Sequence, residues 1–138
     1  MTILQGTSPR GTPPFGGLMV ILIVAKDQGL SRIWARHLER LGHETLVVHG
    51  QDDAVQALSQ NAVEVIVLDL MLANGSAIAV ADYASYRWPD TRVVFVTNST
   101  FFSDGSIFNH VPNAAAMITE HTPPNDLAAI VEYHGRAC

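Results

Sequence analysis

Several polar side chains stand where short apolar runs of this 138-residue chain end, and their types could do chemistry together. Lys26 and Asp27 follow the run closing at Ala25, Asp69 follows Val63 to Leu68, Thr97 follows Val93 to Val96, and Glu120 follows Ala115 to Thr119. A carboxylate such as Asp69 can act as a nucleophile when an adjacent cation neutralises the accumulating charge. An ammonium such as Lys26 beside it would favour both charged forms. Each residue also has a plainer role: Asp69 bonding turn amides, Thr97 as a β-former, Lys26 as a solvated lysine, Glu120 facing solvent or contacting Lys26.

Other chemistries lack their residues. The only cysteine is Cys138, so no disulfide framework or CxxC motif exists, which fits a reducing cytoplasm. His37, His43, His49, His110, His121 and His134 show no HExxH or HxH spacing and read as surface or helix-end residues. A hydrolase is not expected, because no GxSxG, metal cluster or paired acid–base residues are present, and a glycine-rich phosphate loop is also missing. Eight Lys and Arg against thirteen Asp and Glu give a net charge of −5, and no window reads as basic, so nucleic acid is not an expected partner. The longest apolar run, Leu18 to Ala25, is far short of the roughly twenty residues that cross a bilayer, so no membrane association is expected. Three prolines and four glycines precede that run, and Lys26-Asp27 closes it without a cleavage-site pattern, unlike a secretory signal.

Strand ends converge only if the chain supplies the right scaffold. With 48% apolar and 15% charged residues, one compact domain is expected over 19–138. Residues 1–18 hold seven Gly and Pro and read as a flexible tail of little function, with Met19 a plausible native start. Val20 to Val24 is continuous and apolar, as in a parallel strand covered on both faces. Leu30, Ile33, Trp34, Leu38 and Leu41 form one helical stripe that Gly42 ends. Thr45 to Val48 is a shorter strand, followed by a helix with Asp52 and Asp53 in its first turn and Val55 and Leu58 facing inward. Val63 to Leu68 delivers Asp69, and Asn74-Gly75-Ser76 turns the chain into a helix that Pro89 stops after about Trp88. Val93 to Val96 ends at Thr97, and Ala115 to Thr119 is a weak fifth strand. Thr122-Pro123 supplies the cap and first residue of a last helix burying Leu127, Ile130 and Val131, with Glu132 on its exposed side. Phe101, Phe102 and Phe108, interrupted by Asp104-Gly105, suggest a short or irregular helix between. Five β-α units with right-handed crossovers give an α/β, doubly wound parallel sheet whose functional groups gather at the carboxyl ends of the strands.

Three stretches carry a further signal: Ile21-Leu22-Ile23-Val24 with the helix ending at Leu41-Gly42-His43; Val65-Ile66-Val67-Leu68-Asp69-Leu70-Met71-Leu72 with Asn74-Gly75-Ser76; and Trp88-Pro89-Asp90 leading to Val93-Val94-Phe95-Val96-Thr97. In order and spacing, residues 19–135 resemble the receiver domain of two-component response regulators. The resemblance implies a flavodoxin-like (βα)5 fold with strand order 2-1-3-4-5 and a signalling rather than enzymatic role. It puts Asp69 at the aspartate that accepts a phosphoryl group from a phosphohistidine, and Thr97 at the switch hydroxyl. A histidine kinase or phosphotransfer protein is the implied partner.

The match is uneven at the cations. Ala25 and Lys26 fall where receivers carry the acidic pair that holds Mg²⁺, and the nearby acid, Asp27, comes one residue late. Glu120 replaces the fifth-strand lysine, and Met117 replaces the aromatic switch residue. No cofactor is therefore expected, and Mg²⁺ binding should be weak, with Asp69 and Asp27 the remaining carboxylates. Lys26 is expected to pair with Asp69 in place of the metal. The chain reads as a single-domain protein acting through contacts of the 101–133 face with a partner or a second copy. The alternative is a small-molecule-binding module using the Asn98 to His110 loop.

Overall fold

The computed structural model describes residues 19–72, 74–97 and 113–135. In chain order these form β1 (Val20–Val24), α1 (Gln28–Arg40), β2 (Glu44–Val48), α2 (Gln51–Gln60), β3 (Val65–Asp69), α3 (Ala77–Arg87), β4 (Arg92–Thr97), β5 (Ala114–Thr119) and α4 (Pro124–Gly135). The strands make one parallel sheet in the order β2-β1-β3-β4-β5, as the resemblance implies. The tail over 1–18 and the element holding Phe101, Phe102 and Phe108 lie outside the described residues. No described helix is long and apolar enough to cross a membrane.

Alternation along each strand feeds two cores. Ile21, Ile23, Val65, Val67, Val94 and Val96 pack with Trp34 and Leu38 of α1 and Leu127 and Val131 of α4. Leu22, Val24, Ile66, Leu68, Val93 and Phe95 pack with Ala54 and Leu58 of α2 and Val80 and Ala84 of α3. A strand buried on both faces must be apolar at every position, which is why these runs show no polar alternation. In α2 the buried pair is Ala54 and Leu58, four residues apart; Val55, expected inward, is turned about 100° onto the flank and is half-buried. In α4, Ala128 is buried beside Leu127 and Val131, while Ile130 is only half-buried.

Element ends differ from expectation by a residue or two, each for a local reason. β2 opens at Glu44, whose N–H donates to Met19 O at 2.9 Å. β3 opens at Val65 rather than Val63, because the Thr91 hydroxyl takes the Val63 carbonyl. α4 opens at Pro124 rather than Pro123, whose carbonyl accepts from Leu127 N at 3.0 Å. Gly42 closes α1 with a φ of 99°, and Ser76 caps α3 by accepting from Ala79 N at 3.3 Å.

Two expectations about polar residues fail at the amino end of the sheet. His43 is not a surface histidine: its side chain is 3% exposed, its Nδ1 accepts from Met19 N at 3.2 Å, and its Nε2 lies 2.7 Å from Glu132 Oε2. Since Nδ1 accepts, the proton sits on Nε2 and donates to the carboxylate. Glu132 therefore faces the body of the protein and ties α4 to the start of β1.

Candidate functional site

Asp69 is the last residue of β3, in register with Val96 of β4. The chain stays on β4 for one more step, with Leu70 N donating to Val96 O at 2.9 Å, and Met71 N then donates to Asp69 Oδ1 at 2.9 Å. That short turn is the plain structural role expected of a strand-end aspartate. It engages one oxygen and leaves the half-buried carboxylate at the carboxyl edge of the sheet. Thr97 ends β4, is buried, and accepts at its carbonyl from Glu120 N at 3.1 Å. Thr97 on the neighbouring strand, and Glu120 one strand further, thus lie at the same carboxyl edge of the sheet as Asp69, where neighbouring strands are about 4.8 Å apart.

The expected Lys26–Asp69 pair is not formed. Lys26 is exposed, and the only ion pair within 4.0 Å between two described residues is His43–Glu132, so Lys26 does not contact Glu120 either. The loop explains why. Ala25 is buried in the core beside Trp34, and Asp27 is the N-cap of α1, its Oδ1 accepting from Leu30 N at 3.1 Å. With a residue packed inward on one side and a cap fixed on the other, Lys26 is left pointing outward. His49, which sequence patterns did not single out, pins the same loop: its Nδ1 lies 2.7 Å from Ala25 O and donates to it. A histidine just after an edge strand carries no sequence signal for such a contact.

Met117 packs, partly buried, against the core that holds Leu68 and Phe95. The residue that the resemblance sets at the aromatic switch position is thus a core-packing methionine. Gln51 also escaped sequence reasoning: its N–H donates to Asn74 O at 3.0 Å and its Oε1 accepts from Ser76 N at 2.8 Å, fastening α2 to the loop that follows Asp69. Gly75 in that loop has φ 88°, and a Cβ there would lie 2.3 Å from Gln51 Cβ. The Asn98 to His110 loop of the binding-module alternative lies outside the described residues.

A hard divalent cation needs several oxygen ligands, usually including one or two carboxylates. Ala25 and Lys26 provide no such side-chain oxygen, an Asp27 oxygen is committed to the helix cap, and an Asp69 oxygen is committed to its turn. Among the described residues no group of three or more His, Cys, Asp or Glu could hold a metal. These residues do not fit the Mg²⁺ site that the fold would imply.

No protein-family model matches the chain, and a search of curated proteins found no relative. Solved structures do match. A CheY-like response regulator receiver domain protein from Methanospirillum hungatei superposes with a TM-score of 0.78 at 18% identity, over 86% of this chain and 94% of that one. The N-terminal domain of a response regulator/sensory box/GGDEF three-domain protein from Carboxydothermus hydrogenoformans gives 0.75 at 23% identity, over 85% and 94%. A response regulator from Burkholderia pseudomallei, solved with a phosphorylated aspartic acid, calcium ion and citrate, gives 0.74 at 20% identity, over 85% and 68%. With the same strand order and Asp69 at the carboxyl end of the central strand, the chain has the flavodoxin-like fold of a response-regulator receiver domain.

Proposed function

We propose that this protein is a signalling receiver in which Asp69 accepts a phosphoryl group slowly, at a site with rearranged charges, and which works mainly through protein contacts. The observation that carries this reading is Asp69 ending β3 beside the Thr97 end of β4, in a fold whose solved examples include a response regulator with a phosphorylated aspartic acid. In the step, an Asp69 oxygen forms a bond to phosphorus, the P–N bond to the donor histidine breaks, and the imidazole keeps the electron pair. The Met71 N–H already holds one Asp69 oxygen in place. The donor is a histidine kinase or phosphotransfer protein.

Because no fitting cation site and no fifth-strand lysine offset the phosphoryl charge, the step is slow; each 1.4 kcal/mol of lost stabilisation lowers a rate about tenfold. Labelling with acetyl phosphate tests this. Wild-type protein should label little, Lys26→Asp with Glu120→Lys should label faster, and Asp69→Asn should not label. Rapid wild-type labelling, or labelling that survives Asp69→Asn, overturns the reading. Mg²⁺ followed by Trp34 and Trp88 fluorescence should show no saturation at concentrations that fill ordinary receivers. Protein contact is assigned to the described part of the 101–133 face, formed by β5 and α4. Tyr133, 71% exposed and edge-on to His134, is the residue to change there, in Tyr133→Glu. Untreated protein that is monomeric and recovers no partner until phosphorylated refutes constitutive contact.

A further inference from the structure

Among the described residues, β2 lies at one edge of the sheet and pairs only with β1. Glu44 N donates to Met19 O and Val48 O accepts from Ala25 N, so Glu44, Leu46 and Val48 direct their backbone groups at β1. A strand residue sends its N–H and C=O to the same side, and the side alternates. Thr45 and Val47 therefore present theirs outward, where no described residue meets them. Natural edge strands are commonly blunted by lysine, proline or a bulge. β2 contains none of these, and its one charged residue, Glu44, stands at its first position, outside the Thr45 to Val48 stretch.

The edge is roofed on one face by α1. A groove of about 360 Å³ runs between them, lined by Ser31, Arg32, Ala35 and Arg36 of α1 and by Val47 and His49. Val47 is 38% exposed there. Arg32 and Arg36 are exposed, and neither lies within 4.0 Å of a carboxylate of the described residues. Like charges at i and i+4 on a helix repel, so the pair is not explained by helix stability. Glu39, which also lines the groove, is turned to the Thr45 hydroxyl at 2.5 Å.

We propose that the outer edge of β2 docks an extended acidic segment of a partner protein, which adds as a sixth strand and sets two carboxylates against Arg32 and Arg36. Spacing supports the occupant. Four residues of helix advance about 6 Å, and alternate residues of a strand advance about 6.6 Å, so carboxylates at i and i+2 of an added strand match the two guanidinium groups. Backbone bonds to Thr45 and Val47 would give affinity, and the arginines would give selectivity. Glu39 repels a third carboxylate beyond Arg36 and so limits the acidic repeat to two. A second copy of this chain is disfavoured, since β2 against β2 would bring four arginines together. The chain's first eighteen residues hold no acid and do not fit either. This inference goes beyond the phosphoryl chemistry and stands without it.

The test is fluorescence anisotropy of the full chain with a labelled peptide whose core is Thr-Glu-Val-Glu-Thr, beside a Thr-Lys-Val-Lys-Thr peptide. The acidic peptide should bind at least about tenfold more tightly than the basic one, and Arg32→Glu with Arg36→Glu should weaken it by about tenfold or more. Val47→Pro removes an outward N–H without touching the β1 ladder, a substitution edge strands tolerate. It should abolish binding while leaving the thermal unfolding midpoint of the free protein nearly unchanged. Bound peptide should slow hydrogen exchange at the Thr45 and Val47 amides. Equal affinity for both peptides, or binding that survives Val47→Pro in a folded protein, overturns the proposal. So does no binding up to about 1 mM peptide. Self-association of the untreated protein that Val47→Pro removes would assign the edge to a second copy and overturn it as well.

Discussion

Glu132→Lys separates a structural carboxylate from a surface one. It replaces the oxygen that accepts His43 Nε2–H at 2.7 Å with an ammonium that can only donate. The imidazole cannot turn to water for relief: its side chain is 3% exposed, and its Nδ1 already holds the Met19 N–H. Lost, then, is a hydrogen bond to a charged acceptor, with a buried donor orphaned, a change of about 2–3 kcal/mol. Glu132 itself is 25% exposed, so solvent offsets only a minor part. For a domain of this size about 1 kcal/mol moves the unfolding midpoint by roughly 3–5 °C, so Tm should fall by about 6–15 °C. Urea unfolding followed by Trp34, which packs in the same core, reads the change directly. Glu132→Gln keeps an accepting oxygen without the charge and should lie between. Tyr133→Lys, one residue on and outside that contact, is the control and should unfold with wild type. If Glu132→Lys and Tyr133→Lys share one urea midpoint, the His43–Glu132 bond does not hold α4 to β1 and the reasoning is wrong.

Asp27→Ala should lower stability by about 1 kcal/mol and speed hydrogen exchange at the Leu30 amide, whereas Asp27→Asn, which also caps, should change little; equal loss in both would remove the cap as the cause. Gly75→Ala combines a left-handed backbone with a Cβ 2.3 Å from Gln51 Cβ and should destabilise by about 2–4 kcal/mol. The Ser76 amide, which donates to Gln51 Oε1, should lose protection in that variant, and an unchanged urea midpoint would contradict the fastening of α2 to this loop.

The sheet was legible because burial on both faces forces a composition. Val20 to Val24 and Val93 to Val96 have no position free to be polar, and no helix of ordinary amphipathic period would carry such runs. The order of the strands came from resemblance, since period and propensity do not say which strands are neighbours. Boundaries were less legible, because they turn on single side-chain bonds to the backbone. Thr91 reaching Val63 O shortens β3, and nothing in the local sequence near Val63 announces a threonine 28 residues away. The inward face of α2 was missed by one residue: valine is more apolar than alanine, but the phase set by Leu58 selects position 54. Arg32 and Arg36 show the same limit from another side. Their four-residue spacing is visible in the chain, yet only the open edge beside them gives it a possible use.

The site was legible where it depends on strand ends and illegible where it depends on three residues of loop. Asp69 and Thr97 are fixed by the register of β3 and β4, and any sequence that forms those strands delivers them to one edge. Lys26 is different. Alignment puts it in a slot where an acid belongs, but the slot's geometry is not inherited with its number. Asp27 is held by the α1 cap and Ala25 by the core and the His49 bond, and the side chain between them is exposed. To reach Asp69, Lys26 would have to order a long, solvated side chain. A surface-type ion pair returns about 0–1 kcal/mol, while ordering a lysine side chain costs up to about 2 kcal/mol. The comparison favours the open arrangement, in which the Asp69 carboxylate keeps its turn and faces the sheet edge with no cation of the described residues paired to it.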